Sequence, residues 1–523
     1  TWLDLEQLVI NLTVFIAIGY YLTRNRHIFK EYGIPYTPPH PIVGNMHRIL
    51  FRQQNLIELT DDLYNAHSDA RYFGFFDFAT PLIVLRDPEL IKSVTVKNFD
   101  SFQDHRILAN EATDPLFGNM IFSLTGERWK NMRSVLSPAF TSSKIKSMHP
   151  LMSSAAENFA DYLSKGNREL ELKSLWGKYA VDVIASCAFG ITTDSIKDPN
   201  NAFYVNGRKA MFFTGFVNGL KLLLIRNATK LSTLLRVRLI KKSVAEFFHE
   251  LIVSTVTARD EQGIQRADIL QLLIEARNRN EPGKELDIKT ITTHSFTFFF
   301  GSFDTISTTL SFIFHDLAAN PDVQEKLQSE IDQVLEERNG QLSYDAVHSI
   351  EYLDAVINET MRVHPIGAFL DRMCVKDFEL PPAVPGAKPF VVKAGMNLWF
   401  PIAAIQSDPQ YFEDPQKFDP ERFIVDGKRI MNSGTFMPFG AGPRMCIGNR
   451  FALTNMKTLI CNVLARCDVK CSSKTKIPLK IGPNPFDSIP KDGFWVKFQV
   501  RKNPQLVVRT PVTNGTCKVG GDE

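Results

Sequence analysis

From Asp287 to Asn320 the chain contains no proline, carries mostly apolar and small side chains, and stops immediately before Pro321. Asp287 is a good N-cap residue, because its carboxylate can accept from the backbone N–H groups that a first helical turn leaves unpaired. At 1.5 Å per residue one helix here reaches about 50 Å, the width of a large domain. The rest of the chain must therefore pack around it. Its middle, FFFGSFDTISTT, sets Gly301, Asp304 and Thr305 in apolar surroundings. His294, Thr297, Gly301 and Thr305 recur at helical spacing and share one face. That face either lines a cavity or packs on a neighbouring helix with a tolerated glycine.

Residues 237–260 and 267–278 show apolar positions at three- and four-residue intervals and predict further helices. Strand-like alternation is confined to short pieces, ARYFGFFD, PLIVLRD and GFWVKFQV. Beyond the first residues there is no tandem repeat, low-complexity tract or second linker. The expectation is a mainly α fold in one large domain with a small β-rich part. With 523 residues the domain can bury a small cofactor completely, and 40 phenylalanines suit either an aromatic interior or an aromatic-lined apolar pocket. A formal net charge of +3 is too mild for a nucleic-acid binder, which needs dense Lys/Arg clusters. Seven cysteines, odd in number and without a C-x-x-C pair, argue against a disulfide framework or a structural zinc site and for a reducing compartment. Cys461, Cys467 and Cys471 read as packing residues.

The apolar run at residues 8–22 follows Asp4 and Glu6 and precedes Arg24, Arg26 and Lys30. Basic residues after the run fit an uncleaved anchor with the body of the chain in the cytosol, with a buried helix as the alternative because the run is short of the roughly 20 residues a bilayer needs. GIPYTPPHPIVGNM then supplies prolines for a stiff connector. The expected division is an anchor at 1–26, a connector at 27–46, a main domain at 47–505 and a flexible tail at 506–523.

The stretch FMPFGAGPRMCIGNR surrounds a single cysteine, Cys446, with glycines and arginines. A thiolate is the strong metal ligand and needs positive partial charge around it. Gly440, Gly442 and Gly448 permit tight turning and close backbone approach. The helical pattern that follows brings an N-terminal dipole toward the sulfur. Arg444 is placed for a carboxylate, and Phe439 for a flat ring.

Phe439, Gly442, Arg444, Cys446 and Gly448 fill every fixed position of F-x-x-G-x-R-x-C-x-G, and the chain thereby resembles the cytochrome P-450 superfamily of haem-thiolate monooxygenases. Glu359 and Arg362 in ETMR, with Arg422 in PERF, are similar to that family's structural Glu–Arg–Arg triad. Trp129 and Arg133 resemble its W-x-x-x-R pair, which reaches a haem propionate. Arg372 resembles another propionate donor, as does the region of His105 and Arg106, although the arginine expected at 105 is a histidine. GSFDTI resembles the oxygen-activating segment, with Ser302 and Ile306 departing from the usual glycine and hydroxyl residue. LSPAFTSSKIKSM, ADILQLLIEA and FLDRMCVKD resemble the animal clan of vertebrate family three and insect families six and nine, insect family nine most of all.

The resemblance implies the P-450 fold, haem b held by Cys446, and insertion of one oxygen atom from O2 into lipophilic small molecules such as plant toxins or insecticides. It assigns Thr305 and Asp304 to proton delivery. Candidate substrate-pocket residues are Thr297, Phe300, Gly301, Ile366, Phe369 and Phe486. Without a flavin or nicotinamide fingerprint in the chain, electrons would come from NADPH through a separate flavoprotein reductase. Cytochrome b5 is a possible second donor, and the endoplasmic reticulum membrane the expected location. Lys130, Arg429, Arg450 and Lys457 are candidates for a basic docking face. The alternatives are a haem-thiolate isomerase or dehydratase that uses no O2, and a non-enzymatic haem-binding protein.

Overall fold

The computed structural model describes residues 25–106, 109, 111–211, 216–279, 286–425, 428–429, 434–483, 488–505 and 507–509, together with 11, 13 and 19. Helix Ile288–Ala319 is the axis of the fold. The Asp287 carboxylate caps it by accepting from Thr290 N at 2.7 Å, and Asn320 ends it before Pro321 opens the next helix, Pro321–Glu337. Helix Leu172–Ile184 packs along it, and helix Asn449–Leu464 packs on Ser142–Leu163 beside it. Aromatic rings fill the space between, with Phe248 meeting Phe296 and Phe299, and Phe299 stacked on Phe303. The abundance of phenylalanine is therefore spent largely on the core.

The helix at 237–260 starts later than its periodicity suggests, at Lys242. The buried Asp114 carboxylate accepts the N–H groups of both Leu239 and Ile240 at 2.9 Å, which holds those residues out of a helix.

Tyr72–Asp77, Thr80–Leu85, Asn397–Phe400 and Leu370–Met373 form a four-stranded sheet in that spatial order. The first and last pairings are antiparallel and the middle one is parallel. Tyr72–Asp77 is buried at every residue, because Tyr72 and Phe76 enter one apolar cluster and Phe73 and Phe75 another. A second sheet joins Cys467–Cys471, Trp495–Val500 and Arg168–Glu171.

Glu359 and Arg362, three apart on helix Glu351–Val363, form a bidentate pair at 2.8 Å with both side chains fully buried. Arg422 joins from the Pro420–Phe423 turn with its Nε 3.0 Å from Glu359 Oε1. Most of residues 1–26, residue 506 and residues 510–523 lie outside the described residues, so the anchor and tail are not described. Among the described residues no helix is long and apolar enough to cross a membrane.

Candidate functional site

Cys446 sits at the end of a closed loop. Its N–H donates to Phe439 O at 2.8 Å, Met445 N–H donates to Gly442 O at 3.0 Å, and Gly440 N–H donates to Met437 O at 3.0 Å. Gly440 and Gly442 have φ of 78° and 70°, a left-handed conformation that a side chain would strain. A Cβ on Gly442 would lie 1.9 Å from Thr95 O, so the close backbone approach this glycine permits is to the chain near Thr95. Gly448 has an ordinary φ of −91° and caps helix Asn449–Leu464. Burial pushes the Cys446 thiol up, and the Gly448 N–H and the Arg133 guanidinium draw it partly back.

Cys446 is accessible although protein surrounds much of it. The surface it meets is a cavity of about 460 Å³. The opposite wall is the middle of the long helix. Thr297, Gly301, Ser302, Thr305 and Ile306 line the cavity, and Gly301 and Thr305 are exposed to it although they lie mid-chain in a core helix. The polar face of that helix therefore lines a cavity and does not pack on another helix. Thr305 Oγ1 donates to Gly301 O at 2.7 Å, and Ser302 Oγ donates to Phe298 O at 2.7 Å.

Asp304 departs from the expectation. One residue from Thr305, it is turned roughly 100° around the helix and points away from the cavity to Lys173. Lys173 Nζ lies 2.7 Å from Asp304 Oδ1 and also donates to Asp304 O, Ser307 Oγ and Thr308 Oγ1. Nothing in the sequence pointed to Lys173, which lies far upstream at the start of helix Leu172–Ile184.

Arg372 and Arg444 line one edge of the cavity. Arg444 donates to Gln103 O at 2.6 Å, Leu124 O at 2.9 Å and Asp104 Oδ1 at 3.1 Å. Arg372 donates to Asp371 O at 2.7 Å and Ala441 O at 3.0 Å, and its buried Nε has no partner. Burial draws both guanidiniums down to about 10, with Arg372 adding to the effect on Arg444. Two neighbouring guanidiniums at one edge of the cavity suit a carboxylate there. His105 lines the same cavity with Nδ1 2.8 Å from Asp371 Oδ1, whereas Arg106 turns to Asp77.

Trp129 and Arg133 reach the site indirectly. The Arg444 guanidinium lies 4.0 Å over the Trp129 ring, and Arg133 Nη2 donates to Met445 O at 2.9 Å, beside the cysteine. Both support cavity residues and do not stand on the wall.

Among the substrate-pocket candidates, Thr297, Gly301 and Ile366 line the cavity. Phe300 packs instead into an aromatic group with Phe117 and Phe122, at 5.4 Å and 5.9 Å. Phe369 stacks on Trp399 at 3.8 Å and lines a neighbouring cavity. Alternation along Leu370–Met373 explains this: Leu370 and Arg372 face the cysteine cavity, while Phe369 and Asp371 face the other side. Phe486 lies outside the described residues. Of the basic candidates for docking, Lys457 is buried and paired with Asp354 at 2.8 Å, so it is not part of a surface; Lys130 and Arg450 are exposed, and the Arg429 side chain is outside the described set.

The haem implied by the resemblance fits these residues. The cavity offers a thiol on one side, an open helix face with a hydroxyl on the other, apolar walls including Phe439 and Phe451, and two guanidiniums at one edge where a propionate needs them.

The family model described as "Cytochrome P450" matches residues 34–495. The chain is 40% identical to "Cytochrome P450 9e2" of Blattella germanica, over 94% of this chain and 97% of that protein. It is 37% identical to "Probable cytochrome P450 9f2" of Drosophila melanogaster, over 91% and 96%, and 34% identical to "Cytochrome P450 6k1" of Blattella germanica, over 91% and 93%. With a complete cysteine loop facing an open helix across one cavity, these matches establish that the chain belongs to the cytochrome P450 family, haem-thiolate monooxygenases that take electrons from NADPH through a reductase.

Proposed function

We propose that this enzyme oxidises lipophilic foreign compounds, plant toxins and insecticides among them, at the cavity between Cys446 and Thr305. The observation that carries the reading is that Cys446, Gly301 and Thr305 line one mostly apolar enclosure from opposite sides. When bound, the haem with its Cys446 thiolate supplies the oxygen-activating chemistry, since the sulfur donates electron density that favours O–O cleavage. Arg372 and Arg444 would hold its propionates, and the Gly448 N–H would stabilise the charged sulfur. Gly301 leaves room beside the helix, because a Cβ there would meet nothing within 4 Å. Thr305 is the proton-handling group: its hydroxyl donates to Gly301 O and leaves its lone pairs toward the cavity, where it can order water and pass on a proton. Asp304 is a positioning residue that fixes this turn through Lys173. Its carboxylate pairs with Lys173 outside the cavity and acts on the site only through the geometry of the turn.

Attachment to the endoplasmic reticulum membrane is part of the proposal, with the reductase and cytochrome b5 approaching the exposed Lys130 and Arg450 side. The apolar run at residues 8–22 supports it, as do Val217 and Leu220, exposed on helix Phe216–Asn227, and Leu231 and Leu234 on helix Thr229–Leu234 with Leu235 just after it, Leu234 being 77% exposed. Such a patch suits contact with a bilayer.

The test is Thr305→Ala. The variant should fold, bind haem and accept electrons, yet make several-fold less product per NADPH consumed and release correspondingly more hydrogen peroxide. An unchanged product-to-NADPH ratio would show that Ser302 or ordered water handles the proton.

A further inference from the structure

Between helix Glu351–Val363 and strand Leu370–Met373 the chain has no regular secondary structure, yet this short segment is a wall. Pro365, Ile366 and Gly367 line the cysteine cavity, and Ile366 and Gly367 also line a smaller neighbouring cavity of about 350 Å³. A wall without a helix or strand of its own keeps its place only through contacts to its neighbours. Ile366 O accepts from Ser488 Oγ at 3.0 Å, and Ala368 O accepts from the Ala403 N–H at 3.4 Å. At the other end stands His364, the first residue after the helix, which lines neither cavity.

The His364 imidazole is held by the long helix. Its Nε2 lies 3.1 Å from Asp316 Oδ1, and the ring stacks on Phe312 with centroids 4.3 Å apart and planes within 7°. Thr305, Thr309, Phe312 and Asp316 follow one another at intervals of four, three and four residues and so stand on one helix face. Thr305 and Thr309 line the cavity, whereas at Phe312 and Asp316 His364 covers the face. Asp316 also ties the end of the neighbouring helix, since its Oδ2 accepts from Thr360 Oγ1 at 3.0 Å. Burial works against a charge on Asp316, but His364 and His315 together hold its carboxyl below the usual carboxylate range, and a bond to a charged acceptor is the stronger kind. Glu359 and Arg362 fix helix Glu351–Val363 itself, but their bonds end at Arg362, so the wall beyond needs an anchor of its own.

We infer that His364 is a positioning residue for the monooxygenase reaction: bonded to Asp316, it sets residues 365–367 at a fixed distance from the Thr305 face and thereby selects substrates by bulk. The inference rests on the cysteine cavity as the substrate site and adds a determinant of specificity that stands outside it. A wall fixed in advance spares a bulky ligand the cost of ordering it on binding.

The experiment compares imidazole with clotrimazole on the full-length holoenzyme, by the shift of the Soret band that an azole nitrogen produces when it ligates the iron. Imidazole reports on the iron with little contact to the walls, and clotrimazole adds three aryl rings that must press on them. His364→Phe keeps a ring on Phe312 and removes the bond, so it should raise the clotrimazole Kd about fivefold or more and move the imidazole Kd by less than about twofold. His364→Gln keeps a donor near the position of Nε2 and loses the ring, and should hold the clotrimazole Kd within about twofold of the parent. Asp316→Asn should shift the clotrimazole Kd in the same selective way as His364→Phe, and is read in its place if that variant fails to load haem. In hydrogen exchange, the amides of residues 366–369 should exchange faster in His364→Phe while those of the Thr305 turn stay as in the parent. An unchanged clotrimazole Kd, equal shifts for both azoles, or a Gln variant as weak as the Phe variant would overturn the inference. If the parent binds clotrimazole on its iron in that case, the substrate-cavity reading stands and only the role of His364 is lost. A parent whose Soret band clotrimazole does not move would lose both.

Discussion

Glu359 with Arg362 and Arg422, and Asp77 with Arg106 and Arg226, are built from the same parts, one buried acid and two arginines, but they end differently. In the first cluster the guanidinium nitrogens find acceptors: Arg362 bonds Glu359, Gln406 O and Pro415 O, and Arg422 bonds Glu359, Glu413 O and Lys417 O. In the second, Arg226 bonds Asp77 alone and keeps a buried Nε without a partner. The first cluster is tied to backbone on several sides and is a framework element, whereas in the second, one guanidinium is held by a single carboxylate. The glycines divide the same way. Gly442 is closed in by Thr95 O, and Gly301 faces open space.

The largest effect should come from breaking the closed cluster. Glu359→Gln leaves two buried guanidiniums facing an uncharged amide, and about 3–5 kcal/mol of stability should be lost. Thermal unfolding and the yield of haem-loaded protein would report it. Stability close to that of the parent would mean that the backbone acceptors alone hold Arg362, and the contrast between the clusters would weaken.

The glycine pair should give a smaller difference, of opposite sign at its two members. Gly442→Ala combines a left-handed backbone with overlap at Thr95 O and should cost about 2–4 kcal/mol. Gly301→Ala has neither problem, and in a helix interior alanine is favoured by up to about 1 kcal/mol, so the melting temperature should hold or rise. The added methyl should instead weaken binding of the bulkiest ligands. Equal destabilisation by both substitutions would erase the distinction between framework and wall.

What was legible in the sequence is what depends on short-range pattern. The long helix with its Asp287 cap, the turn-rich loop around Cys446, and the Thr297, Gly301, Thr305 face all follow from spacing along one element. What was not legible depends on contacts between distant segments. Asp304 was grouped with Thr305 by the resemblance of GSFDTI to the oxygen-activating segment, but a single helical step turns it to Lys173, which no local pattern marks. Phe369 was assigned to the wrong cavity because the strand next to it separates two cavities, and alternation decides which residue enters which. Lys457 reads as a surface cation until Asp354 is found beside it in the core. The late start at Lys242 is likewise set by Asp114, from a different part of the chain. Asp77 and Arg226 meet because the first strand of the sheet ends at Asp77 beside the last turn of helix Phe216–Asn227.

The central claim is that Cys446, and no other cysteine, binds the iron opposite Thr305. Among the described residues Cys446 is the only cysteine that lines the cavity, and no group of three or more His, Cys, Asp or Glu side chains is clustered to hold a metal. The most direct measurement is the absorption spectrum of the reduced carbon monoxide complex of Cys446→Ser. The account predicts loss of the thiolate-type Soret band in a protein that retains its helical content by circular dichroism. A variant that kept that band would have another thiolate on the iron and would contradict the assignment of Cys446.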